Sequence, residues 1–94
     1  MDRQTYLNLI VPAIEMVAKK GEDYNSGEVT LDAYFPHGDY SYHQMLHIKI
    51  LRLQSLLAKD GDPNYDSLED CLYDLINYAV FWLGYLKNKS SKLA

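Results

Sequence analysis

The sequence has a single cysteine, Cys71, so it cannot form an internal disulfide bond. At its N-terminus it lacks the basic stretch followed by an apolar run that is typical of a signal peptide. It also lacks any apolar run near the roughly 18 to 20 residues that a membrane-spanning helix requires. From these absences we expect a soluble protein of the reducing cytoplasm, with Cys71 as a small buried hydrophobe.

Basic residues are also scarce. The chain has 9 lysines and arginines against 13 aspartates and glutamates, which gives a net charge of −4. A nucleic-acid polymer or an anionic membrane requires a concentrated positive surface in its partner, so we expect neither as a partner. Any site for a phosphate must therefore be local.

The length limits the chain to one domain. A chain of 94 residues fits a single domain spanning residues 1–94. A core of this size is marginal unless a partner subunit adds to it. We therefore expect a homo-oligomer.

Apolar residues recur at three- and four-residue steps in three segments, which predicts an all-α fold with three helices. The helices are expected over residues 2–20, 41–59 and 67–89. Gly21 is expected to end the first helix, and Pro12 is expected to kink it. Residues 21–40 are rich in glycine, asparagine and proline and predict a long loop, whose aromatic side chains favour a functional role over disorder.

The third predicted helix has two contrasting faces. The broad apolar face is expected to be core and comprises Leu68, Cys71, Leu72, Leu75, Ile76, Ala79, Trp82, Leu83 and Leu86. The opposite side carries a stripe of four residues, which are Asp70, Asp74, Asn77 and Phe81. Such a stripe can hold a metal or clamp a base or ribose, and it can equally be a solvated face whose acids pair with neighbouring lysines.

The second predicted helix is apolar around nearly its whole circumference, which is typical of a helix buried on several sides. We therefore expect a dimer or larger assembly that buries part of residues 41–59 between subunits. Lys49 and Arg52 lie among these apolar residues, where a cation is costly unless it meets an anion. That anion is either Asp70 or Asp74 or a ligand phosphate. The longer guanidinium favours a carboxylate for Arg52, and hence a phosphate for Lys49.

Histidine and tyrosine raise two further possibilities. His43 and His47 have the i, i+4 spacing by which two imidazoles share a metal, but two ligands do not make a site, and we expect a polar or hydrogen-bonded role instead. The nine tyrosines exceed what so small a core requires. Their amphipathic rings suit oligomer interfaces and base-stacking pockets alike.

Three stretches of the chain resemble a known family. They are K-K-G-E-D-Y-N from Lys19, M-L-H-I-K-I-L-R-L-Q-S-L-L from Met45, and D-S-L-E-D-C-L-Y-D-L-I-N-Y-A-V from Asp66. They resemble the phage-associated nucleotide modification associated domain, type one, which is similar to the MazG-like all-helical nucleotide pyrophosphohydrolases. The resemblance implies a phage protein of the host cell cytoplasm that binds a small nucleotide. The ligand contacts that it implies are Asp23, Lys49, Arg52, Asp70, Asp74 and Asn77, and Tyr24 is added as a loop tyrosine able to stack on a ring.

One departure from the MazG-like pattern bears on activity. Those enzymes resemble one another in an E-x-x-E pair on one helix facing E-x-x-D on the next, which together gather Mg²⁺. Residues 41–59 contain no acid, so half of the set is missing unless Glu15, Glu22, Asp23 or a second subunit supplies it.

We therefore predict binding without turnover and without a cofactor, with Lys49 and Arg52 on phosphate and with Asp70, Asp74 and Asn77 on sugar or base. Such a protein would sequester a nucleotide signal of host defence or serve modified-nucleotide metabolism. Two alternatives remain. One is a Mg²⁺-dependent pyrophosphohydrolase with Asp70 and Asp74 as metal ligands, and the other is a structural oligomerisation module.

Overall fold

The computed structural model describes the backbone of residues 1–24, 30–59, 61 and 64–93 and, within those ranges, the side chains other than those of residues 23, 24, 66 and 90–93. The helices are α1 (Arg3–Tyr24), α2 (Leu31–Tyr34), α3 (Asp39–Ala58) and α4 (Tyr65–Leu93). The described residues contain no strand, which confirms the all-α class. Within these residues, no helix combines the length and apolarity needed to cross a bilayer.

Helix α1 is longer than the sequence predicted. Pro12 lies inside it, as expected, but Gly21 does not end it. A glycine inside a helix costs about 1 kcal/mol relative to alanine, which packing can outweigh. Here Gly21 lies against α4, since a Cβ added at this position would be 3.8 Å from a ring carbon of Phe81. The glycine therefore lies at the contact between α1 and α4.

The predicted long loop between the first two helices is wrong in part. Its first residues belong to α1, its middle contains the one-turn helix α2, and its last residues begin α3 at Asp39. The sequence predicted three helices, whereas the described residues form three long helices and one short one. The second and third predicted helices correspond to α3 and α4, and α4 extends further than predicted at both ends.

The interior of the chain is aromatic. Helices α1 and α3 both pack against α4, and α2 packs against α1. Phe35 and Tyr42 stack with their ring centroids 4.3 Å apart, and Trp82 lies nearly parallel to Tyr42 at 6.3 Å. The buried members of this aromatic core are Phe35, Tyr42, Tyr78 and Phe81.

Two of the nine tyrosines are thus core residues rather than interface or stacking residues. Tyr42 is only 1% exposed and Tyr78 only 6%. Burial raises the pKa of the Tyr42 phenol, with smaller contributions in the same direction from Asp32 and Tyr85. Tyr42 therefore stays neutral at physiological pH.

A side-chain hydrogen bond joins the start of α3 to α4. The indole Nε1 of Trp82 donates a hydrogen bond to Asp39 Oδ1 at 2.7 Å. The contact spans 43 residues of sequence and is partly buried. Because a carboxylate accepts this bond, it is stronger than a bond between neutral groups.

The face of α4 that packs within the chain is only in part the one predicted. Cys71 is buried, as expected, but Leu72, Leu83 and Leu86 are 52%, 56% and 41% exposed. The buried residues of the helix include Asn77 and Phe81, which the sequence placed on the non-core side. The reason is that the aromatic core lies on this side of α4, between it and its neighbours.

The conformation of Gly38 generates a stability prediction. It precedes α3 with φ 58° and ψ −123°, and a Cβ there would collide with the Tyr85 hydroxyl. We expect Gly38→Ala to lower the free energy of unfolding by about 1–3 kcal/mol from the backbone alone, and by more once the collision is added. Chemical denaturation measures this loss.

Gly61 is the matched control, because it also has a positive φ of 89° but no described atom within 4 Å of an added Cβ. Gly61→Ala should therefore cost less than Gly38→Ala. Changing Tyr85 to Phe as well should restore part of the loss at Gly38 and none at Gly61. Equal losses at both glycines, unaffected by Tyr85→Phe, would show that the collision has no effect.

Candidate functional site

The carboxylate of Asp74 on α4 lies between lysines from two other helices. Lys49 Nζ, from α3, is 3.1 Å from Asp74 Oδ2, and Lys20 Nζ, from α1, is 3.6 Å from Asp74 Oδ1. The side chains of Asp74 and Lys49 are each 25% exposed, and that of Lys20 is 32% exposed. Each oxygen of one carboxylate thus binds a different helix to α4.

The same two lysines lie near the ring of Tyr78. Lys20 Nζ is 5.8 Å and Lys49 Nζ 5.9 Å from the ring centroid, within the range of a cation–π contact. The ring face offsets part of the positive charge that Asp74 leaves unbalanced. The group of Lys20, Lys49 and Asp74 still carries one net positive charge.

A cleft opens beside this group between α3 and α4. It has a volume of about 280 Å³ and contains four of the residues that the sequence predicted as ligand contacts, Lys49, Arg52, Asp70 and Asp74. We call it the cationic cleft. Its complete lining is Ile48, Lys49, Arg52, Ser67, Asp70, Cys71 and Asp74.

A second cleft continues from the first toward the end of α3. It has a volume of about 420 Å³, shares Arg52 and Ser67 with the cationic cleft, and adds Lys59. At its edge Asn64 Oδ1 accepts a hydrogen bond from the backbone N–H of Ser67 at 3.1 Å, which caps the first turn of α4. This end of the site therefore combines two cations with the positive end of a helix dipole.

A third cleft lies at the other end of α3. It has a volume of about 480 Å³, and Tyr34, Phe35 and Tyr40 contribute to its largely apolar wall. We call it the aromatic cleft. Ile48 lines both this cleft and the cationic cleft, so the two adjoin along α3. Tyr34 and Tyr40 are 53% and 83% exposed, so both rings are accessible.

Asn77 was predicted to contact a sugar or base, but it does not line any of these clefts. Its side chain is fully buried, and among the described residues neither its Nδ2 nor its Oδ1 has a hydrogen-bond partner. Buried amides are almost always hydrogen-bonded, so this one is an exception that raises the free energy of the folded chain. The predicted polar stripe on α4 is therefore partly an interior feature.

The other predicted residues contribute less. The side chains of Asp23 and Tyr24 lie outside the described residues. His43 and His47 are exposed on α3. No group of three or more His, Cys, Asp and Glu side chains that could hold a metal occurs among the residues whose placement is described. Within the described part of the chain, Asp70 and Asp74 are therefore not joined by the further carboxylates of the four-acid MazG-like pattern.

Of the two cations on α3, Lys49 pairs with a carboxylate, although the sequence favoured this partner for Arg52. The sequence favoured a carboxylate for Arg52 and a phosphate for Lys49, but it is Lys49 that pairs with Asp74. Arg52 is exposed and has no ion pair within the described part of the chain. The reason is register, since Lys49 lies level with Asp74 where α3 and α4 pack together. The ion-pair interpretation is confirmed for Lys49.

Three contributors to the site escaped the sequence analysis. Lys20 belongs to the K-K-G-E-D-Y-N stretch that resembled the family, so its position carried a usable signal. Tyr78 likewise belongs to the third of those stretches, and Tyr40 to the aromatic residues of the 21–40 segment that was predicted to be functional. Their roles depend on which helix faces meet, and periodicity alone does not decide this.

No family model, curated protein or solved structure matches the chain. The similarity to the nucleotide modification associated domain therefore stays a prediction, carried by the three sequence stretches.

The shared carboxylate predicts an order of stability among three variants. Asp74→Asn leaves two lysines facing each other and should cost about 1–2 kcal/mol, because solvent screens side chains exposed to this degree. Lys20→Met should cost least, since Asp74 keeps its shorter contact to Lys49. Urea denaturation at low and high salt measures the order Asp74→Asn, Lys49→Met, Lys20→Met. A Lys20→Met loss as large as that of Asp74→Asn would contradict the sharing.

The unpartnered amide predicts a gain in stability. Asn77→Leu keeps the side chain's approximate size and removes two polar atoms without partners, so the free energy of unfolding should rise by about 1–3 kcal/mol. Asn77→Asp is the matched control and should destabilise the chain, because it buries a charge at the same place. Thermal melting of both variants tests this prediction. A large loss of stability in Asn77→Leu would mean that the amide has a hydrogen-bond partner in solution.

Proposed function

We propose that the chain binds a nucleotide, or another small molecule that joins a ring to phosphate, and releases it unchanged. The observation that carries the proposal is the meeting of the aromatic and cationic clefts at Ile48. One groove along α3 thus offers an apolar wall of rings at one end and cations at the other. This polarity is that of a nucleotide.

The length of the groove suits such a ligand. Gln44 lines the aromatic cleft and Arg52 the cationic cleft. Arg52 follows Gln44 by eight positions, which corresponds to about 12 Å along a helix at about 1.5 Å per residue. In the proposed complex the base stacks on Tyr34 or Tyr40, and the phosphates lie near Arg52.

Arg52 is the principal phosphate contact in this proposal. Its guanidinium fork suits bidentate binding of phosphate oxygens, and no described carboxylate occupies it. Lys59 and Ser67 lie in the adjoining cleft with it. Lys49 contributes mainly through the net positive charge that it forms with Lys20 and Asp74.

The sugar of the ligand would lie between these ends. Asp70 is exposed and lines the cationic cleft, where its carboxylate can accept hydrogen bonds from ribose hydroxyls. Asp74 is engaged by two lysines and serves to position them. Asn77, being buried, supports α4 rather than touching the ligand.

Binding without turnover is favoured by the donor set. Among the described residues, Asp70 and Asp74 are not accompanied by the second carboxylate pair of the MazG-like pattern, and Glu15 and Glu22 are exposed on α1. The resemblance to the phage-associated family supports two roles for a nucleotide binder. It would sequester a nucleotide signal used in host defence, or it would serve modified-nucleotide metabolism.

The test begins with thermal melting against nucleosides, nucleoside phosphates, cyclic dinucleotides and ADP-ribose derivatives, each with and without Mg²⁺. A ligand at 100 times its dissociation constant that binds only the folded state should stabilise the chain by about 2.7 kcal/mol. We expect phosphorylated members to raise the melting temperature and nucleosides to have little effect. No product should appear with Mg²⁺.

The matched variants are Arg52→Met and Lys87→Met, which remove one exposed positive charge inside and outside the groove. Arg52→Met should keep the ligand-free stability and weaken binding by about 1.5–3 kcal/mol in calorimetric titration. Lys87→Met should change neither. Equal affinity of both variants would remove Arg52 from the site. A panel without any hit would favour the structural module, and steady pyrophosphate release would favour the enzyme.

A further inference from the structure

Helix α4 carries an apolar stripe on the side that faces away from the aromatic core. Its residues follow one another at steps of four, three, four and three, the spacing of a coiled-coil seam, and are Leu72, Ile76, Ala79, Leu83 and Leu86. Leu72, Leu83 and Leu86 are between 41% and 56% exposed. A helix in a monomer would normally turn such a stripe inward.

Helix α1 extends this apolar surface. Ile76 belongs to the stripe and also lines a groove of about 420 Å³ between α4 and α1, with Tyr6, Leu7 and Leu9 on the α1 side. These three residues of α1 are between 41% and 55% exposed. The stripe and the groove form one continuous apolar surface, which we call the outer face.

The chain as a whole exposes more surface than its mass requires. Its accessible surface is 7130 Å², whereas a compact monomer of 10.9 kDa is expected to expose about 5,600 Å². Its radius of gyration is 15.4 Å, against about 12 Å for a compact domain of this length. A chain this open has surface to spare for the approximately 800 Å² that each partner buries in a standard interface.

We infer that a second copy of this chain covers the outer face. A two-fold symmetric contact brings the same surface of both copies together, so the surface must complement itself. The stripe meets this requirement along most of its length, because its members and the flanking Tyr73, Leu75 and Val80 are uncharged. The charged residues beside it, Glu69 and Lys87, lie toward opposite ends and carry opposite charges, so an antiparallel arrangement of the two copies keeps like charges apart.

The sequence predicted that residues 41–59 would lie between subunits, but α3 offers a poorer surface. Among its exposed apolar residues Ile50 and Leu57 share one face, whereas Ile48 and Leu51 point in other directions, at about 100° of rotation per residue. The exposed apolar residues of α4 fall within a stripe of roughly 120°. Ile48 also lies in the ligand groove. The contact between copies therefore belongs to α4 and α1.

The experiment is the mass in solution, measured by light scattering behind size exclusion at several micromolar concentrations. The wild type should have at least twice the mass of one chain, 10.9 kDa. Leu83→Glu should lower the mass by at least half at the same concentration. The matched control is Leu57→Glu on α3, where the side chain is 65% exposed, and its mass should equal that of the wild type.

Leu86→Lys at the end of the stripe is a second, milder variant, and circular dichroism shows whether each variant keeps its helices. Loss of helix in Leu83→Glu together with a lowered mass and retained helix in Leu86→Lys still supports the outer face. A monomeric wild type would overturn the inference. So would a lowered mass in Leu57→Glu with an unchanged mass in both outer-face variants.

Discussion

The Asp74 carboxylate receives one lysine from α1 and one from α3, so this charged contact and the aromatic core hold the same side of α4 toward its neighbours. Once Asp74 faces these lysines, Asn77 and Phe81 share its side of the helix and are buried with it. The leucines on the opposite side then face outward. The cationic cleft and the outer face are thus two results of the same orientation.

The sequence predicted what depends on local pattern. It predicted the all-α class, the approximate positions of the three long helices and the burial of Cys71. It failed at Gly21, where packing against Phe81 outweighs the cost of a helical glycine, and at α2, which is too short for a periodic signal. It also took the leucine-rich face of α4 for the core of the chain. Periodicity shows that a face is apolar, but not whether its partner lies in the same chain.

The candidate site was predictable in part for the same reason. Lys49, Arg52, Asp70 and Asp74 were expected together and line one cleft, since their spacing on two helices fixes their proximity once the helices pack. The partner of each cation was not predictable, because it depends on the register of α3 against α4. Lys20 lies inside the first predicted helix, but its contact with Asp74 depends on how α1 packs against α4. The adjoining aromatic cleft depends on α2, which no periodic pattern predicted.

The hydrogen bond between Trp82 and Asp39 has an optical consequence. Trp82 is the only tryptophan in the chain, so its fluorescence reports one place, the junction between α3 and α4. Its indole lies 6.3 Å from the ring of Tyr42, a distance over which tyrosine excitation passes efficiently to tryptophan. Light absorbed by Tyr42 is therefore emitted at the junction of α3 and α4, where the indole senses whether Asp39 remains bound to it.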